Sequence, residues 1–63
     1  MARMSKARAN AQIERMYYEI FEGVAVNMLD IPKIFEAGAM AQAEGRDLRA
    51  TLVECRAKYG VKS

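Results

Sequence analysis

The chain of 63 residues contains no histidine, no tryptophan, one cysteine and one proline. Each scarcity closes off a class of structure. Without histidine there is no imidazole general base and no Cys/His zinc site. A single thiol, Cys55, cannot form an intramolecular disulfide. No apolar run approaches the ~20 residues of a membrane-spanning helix, and none of signal-peptide length follows the basic start MARMSKARANAQ. A soluble, cytoplasmic protein with no membrane association is the expectation. There is also no glycine-rich phosphate loop, nucleophile elbow or flanked carboxylate pair. The chain is therefore expected not to be an enzyme, with no catalytic residues, no metal and no cofactor.

Length adds a further constraint. A chain this short forms one domain, 1–63, and buries only about 60% of the surface its unfolded form exposes, so its core is thin. Small domains gain extra stability from disulfides, a metal or association, and the first two are excluded. Self-association, most simply as a homodimer, is the expectation that remains.

The ten basic and eight acidic side chains are unevenly spread. Residues 1–15 and 48–63 are basic, while residues 16–47 are acidic. Such a pattern suits either a polyanion at the two ends or the pairing of ends with the middle of a second copy. Met4, Met16, Met28 and Met40 recur at an even spacing, but their flanks share nothing, so no internal repeat is inferred.

Three amphipathic segments stand out. Ser5 is a candidate N-cap for a first helix reaching Glu22, where Gly23 supplies the left-handed residue that commonly ends a helix. Ala9, Ile13, Met16, Tyr17, Ile20 and Phe21 fall on one side of it at 100° per residue. Lys6 interrupts the N-terminal extension of that stripe, so residues 1–5 are expected to fray. Asp30 followed by Pro32 marks a second helix, Ile31 to about Glu44, with Ile31, Ile34, Phe35, Gly38 and Ala41 on its inner face. Glycine at the centre of that stripe implies either close approach of another backbone at position 38 or a break in the helix, and close packing is the expectation. Gly45 ends this helix and Asp47 caps a third, with Leu48, Thr51, Leu52, Cys55 and Tyr59 buried up to Gly60. A connection this short folds the last two helices back on each other. The predicted fold is thus all-α, a small three-helix module with a C-terminal helical hairpin and a polar tail at 61–63. Between the first two helices, Gly23 to Leu29 reads as an extended connector or short strand, whose only available partner is a second copy across a dimer.

Two functional readings follow. The order of short strand, helix, EGRDL turn and helix over residues 24–59 resembles the ribbon-helix-helix family of dimeric DNA-binding proteins. That resemblance implies a strand pair across the dimer, entering the major groove. Val24, Val26 and Met28 would face inward, and Ala25, Asn27 and Leu29 would face DNA. Asn27 would be the base reader, with the start of the third helix near a phosphate. Separately, Arg46, Arg49 and Arg56 form a basic edge along the third helix and Arg3, Lys6 and Arg8 a second cluster, which read as a solvated face or, in the DNA-binding alternative, as hydrogen-bond donors to phosphate. A helix-turn-helix reading with Gly45 in the turn puts Glu44, Arg46, Thr51 and Glu54 where such motifs keep apolar groups, and is set aside. The leading expectation is a small regulatory or inhibitory protein that binds another macromolecule. Its contact candidates are the off-stripe apolar residues Tyr18, Met40 and Val53. Cys55, between Leu52 and Tyr59, reads as a small buried hydrophobe.

Overall fold

The computed structural model describes residues 6–61, with side chains from residue 8 onward. The chain order is helix α1 (Lys6–Ile20), strand β1 (Ala25–Val26), a 3-10 turn (Met28–Asp30), helix α2 (Ile31–Ala43), helix α3 (Leu48–Tyr59) and strand β2 (Gly60–Val61). Each helix packs against the other two. The predicted N-cap Ser5 and the fraying expected at 1–5 lie outside the described residues.

The three apolar stripes converge as their periodicity requires. Ile13, Ile20, Phe21, Ile34, Ala41, Leu48, Leu52 and Cys55 form the buried core. Met16, Tyr17, Val24, Val26, Phe35 and Tyr59 pack half-buried against it. Tyr17 stacks on Phe21 with ring centroids 4.7 Å apart and leans on Phe35 at 5.3 Å, locking the end of α1 onto the start of α2. Gly38 is buried where α2 crosses the other helices. A Cβ there would lie 3.1 Å from Ile13 Cγ2 and 3.3 Å from Leu48 Cδ1. The close packing read from its position is present, and the approaching groups are side chains rather than backbone.

The helical hairpin is built from local hydrogen bonds. Gly45 sits at φ +71°. The Arg46 N–H donates to the Ala41 carbonyl at 2.8 Å and the Gly45 N–H to the Gln42 carbonyl at 3.2 Å, a Schellman termination of α2. Two residues later Asp47 starts α3, its Oδ1 accepting from the N–H groups of Arg49 (3.0 Å) and Ala50 (3.3 Å).

The connector after α1 differs from expectation in three respects. Gly23, at φ +74°, turns the chain as predicted. β1 is a real but two-residue strand, and its partner lies in the same chain: Ala25 faces Val61 and Val26 faces Gly60 in an antiparallel pair. Pairing with a second copy is not needed to satisfy that edge, because α3 delivers residues 60–61, read as part of α3's end and tail, alongside it. The inward–outward alternation holds for Val24, Ala25 and Val26 and stops there. Met28 is exposed rather than inward, because the chain leaves the extended conformation at Asn27 and coils into the 3-10 turn. Asn27 caps that turn, its Oδ1 accepting from the Leu29 N–H at 2.9 Å. Asp30 precedes α2 as expected, yet makes no side-chain cap bond and instead pairs with Lys33 at 3.5 Å.

Candidate interaction surfaces

Tyr18, Met40 and Val53 are all exposed, at 66, 51 and 49%. They stand on three different helices. Tyr18 is the least free, since its ring meets that of Tyr17 edge-on at 5.7 Å.

The arginine candidates separate. Arg46 pairs with Glu44 at 2.7 Å, and Arg49 with Glu19 at 3.1 Å, both pairs well exposed. These two arginines share the rim of one groove near the α2–α3 turn. Arg56 lies two turns further along α3, beside a second groove floored by Val24, Ala57 and Gly60 and flanked by Val53 and Val61. Arg3 and the side chain of Lys6 lie outside the described residues. The carboxamide oxygen of Asn27 is already bound to the turn that it caps.

The larger groove, of about 950 Å³, runs between the first half of the described α1 and the α2–α3 turn. Ile13, Met16 and Leu48 line its floor, and Ala9, Ala39 and Ala43 its walls. Gln42 bridges the two helices here. Its Nε2 donates to Gln12 Oε1 at 3.0 Å, while its own Oε1 is buried with no hydrogen-bond partner. The groove is thus mixed, with Asn10, Gln12, Arg46, Asp47 and Arg49 beside the apolar groups and one orphaned acceptor at Gln42.

Among the described residues the most exposed large apolar side chains are a pair the sequence reading did not name as protein-contact candidates. Met28 and Leu29, each 79% exposed, stand side by side on the 3-10 turn. The signal was present in Asn27 followed by Asp30 and Pro32. A cap and a helix start three residues apart leave room for one tight turn only, and its two side chains have no interior to enter.

Among the described residues no three His, Cys, Asp or Glu side chains are grouped to hold a metal ion. Burial, with the nearby Glu54 charge, raises the Cys55 thiol above its ordinary value, and Lys58 acts more weakly in the opposite direction. A raised thiol pKa leaves less of the nucleophilic thiolate at neutral pH. No described helix is long and apolar enough to cross a membrane. No family model matches the sequence, and no curated protein or solved structure is significantly similar to it.

Proposed function

We propose that this chain is a small non-enzymatic regulatory or inhibitory protein, working in the cytoplasm as a homodimer and acting by binding another protein. The observation that carries the reading is the Met28–Leu29 pair, two large apolar side chains held in water on a hydrogen-bonded turn. Intramolecular packing gives no reason to display them, whereas a contact surface uses such side chains as anchors. The larger groove beside Ala39 and Ala43 supports the same reading, and Met40 and Val53 add adaptable contact area elsewhere.

The ribbon-helix-helix alternative has less support. One edge of β1 is occupied by β2 within the chain, the Asn27 oxygen is engaged locally, and Arg56 lies apart from Arg46 and Arg49. Titration of labelled duplex DNA at several salt concentrations separates the two. Wild type, Asn27→Ala and Arg49→Ala/Arg56→Ala should all bind weakly, without sequence preference, and release DNA at physiological salt. Sequence-specific binding that survives physiological salt and falls by about 1–3 kcal/mol in Asn27→Ala would replace this reading with the DNA-binding one. Sedimentation equilibrium over a range of concentrations tests the homodimer directly.

A further inference from the structure

Of the three arginines on or beside α3, Arg46 pairs with Glu44 and Arg49 with Glu19. Arg56 has no acidic partner among the described residues. Its exposed side chain borders the smaller groove, of about 560 Å³, whose apolar lining is Val24, Val53, Ala57 and Val61. That volume falls within the roughly 300–1,000 Å³ of clefts that bind ligands. Val53 and Val61 are about half exposed, so the apolar rim is open to water. Arg56 is the only charged residue in the lining. Glu54 and Lys58, two positions to either side of it, point about 160° away around the helix, and Lys58 lies over the Tyr59 ring. Glu22, next to the lining residue Gly23, is exposed and forms no ion pair with Arg56. The carbonyl groups that end α3 favour cations. Any preference for an anion in this groove therefore belongs to the Arg56 side chain.

We propose that the groove binds an extended segment of the partner protein in which an Asp or Glu stands beside aliphatic side chains, the aliphatic groups lying on Val24, Val53, Ala57 and Val61 and the carboxylate pairing with Arg56. The inference rests on the protein-binding reading and names the chemistry of the partner. A wholly apolar segment would cover the guanidinium and leave it without acceptors, which opposes binding. A basic segment would meet like charge. Nucleic acid needs several phosphate donors along its backbone, and the groove offers one. A carboxylate, by contrast, accepts two parallel N–H bonds from a guanidinium, and apolar surroundings strengthen that pair. The groove also lies at the same end of the molecule as the Met28–Leu29 turn, because α2 and α3 fold back on each other and β1 pairs with β2. One partner can engage both.

The test is selection of a phage-displayed library of random peptides on the full chain, followed by fluorescence anisotropy with one enriched peptide, labelled, against a set of variants. Wild type should enrich peptides with Asp or Glu next to Leu, Ile or Val. Arg56→Ala should weaken the chosen peptide about tenfold or more, and Arg56→Lys should recover only part of the loss, since an ammonium cannot form the forked pair. Selection on Arg56→Glu should enrich Lys or Arg in place of the acid. Val53→Asp should weaken the acidic peptide by repulsion. Positions 53 and 56 are exposed, and circular dichroism checks that each variant is folded. Enriched peptides without an acid, or acidic peptides indifferent to Arg56→Ala, overturn the site. Peptides that are lost in Leu29→Lys but kept in Arg56→Glu assign the contact to the turn, which overturns the groove and leaves the protein-binding reading standing. A library without binders overturns the groove as a site for a linear segment, and the partner then meets the turn as a folded surface. Sequence-specific DNA binding in the titration above removes the protein-binding reading, and this site with it.

Discussion

After α2 the chain leaves through Gly45, at φ +71°, with no atom within 4 Å of where a Cβ would stand. After α3 it leaves through Gly60, at φ −67° and ψ 133°, an ordinary extended conformation, and there is no room for a Cβ at all. At Gly60 that atom would collide with the Arg56 carbonyl oxygen and lie 2.9 Å from Val24 Cγ1. Both glycines end a helix, but the first answers to a backbone angle and the second to a neighbour. The angle belongs to a six-residue local motif, whereas the crowding at Gly60 is partly local, from the Arg56 carbonyl four residues back, and partly tertiary, from Val24 beside the β1–β2 pair.

Gly38 is the buried member of the crowded class and leucine the bulkier change, so Gly38→Leu should give the largest effect. With Ile13 and Leu48 already closing on the missing Cβ, it should cost about 3 kcal/mol or more of stability in urea denaturation. A variant as stable as wild type would mean that α2 does not cross α1 and α3 at this point. Gly60→Ala follows, at roughly 1–3 kcal/mol, because backbone must shift for the methyl group to fit. Loss of amide protection at Val26 should accompany it if the strand pair is what the crowding protects. Gly45→Ala should cost about 1–2 kcal/mol through the left-handed angle alone. Asparagine distinguishes the two exits: Gly45→Asn should recover part of that loss, since asparagine tolerates φ above zero, whereas Gly60→Asn should do worse than Gly60→Ala. Equal behaviour at both positions would dissolve the distinction.

Two smaller effects sharpen the picture of α3. Asp47→Ala removes the acceptor for two backbone N–H groups and should cost about 1 kcal/mol, within a usual range of about 0.5–2. An unchanged denaturation midpoint would show that the helix does not depend on this cap. Cys55 supplies the pH dependence. Its thiol pKa is raised by burial, so the folded chain holds this proton more tightly than the unfolded chain does. The associated stability is complete below the ordinary thiol pKa of about 8.5 and is lost as pH rises through the folded value. Between neutral and alkaline pH the wild-type midpoint should fall slightly more than that of Cys55→Ala. Parallel pH profiles would show that the thiol titrates alike in both states.

Legibility in the sequence followed the range of the interactions. The inner faces of all three helices, the Gly23 and Gly45 turns and the Asp47 cap were readable, because each needs only periodicity or a residue's own backbone preference. Met28 faces outward, not inward as the ribbon-helix-helix resemblance implied, because the Asn27 capping bond ends the strand. Tyr18, Met40 and Val53 lie off the core stripes and are exposed, as periodicity alone requires. By contrast, Arg46 and Arg49 share a groove rim that Arg56 does not, although all three fall on one helix or its leading turn.

By itself the sequence determined three helices, their buried stripes, the hairpin that joins the last two, and the exclusion of disulfide and imidazole chemistry. These follow from residue identity and from spacings of a few positions, where the hydrogen bonds and side-chain contacts lie within one or two turns. Only the tertiary structure decided that β1 pairs with Gly60–Val61 and that Val24 closes on Gly60 from across that pair. Each of these depends on which distant segment occupies the space beside a residue. No local propensity carries that information, because it arises only when three helices compete for a single small core.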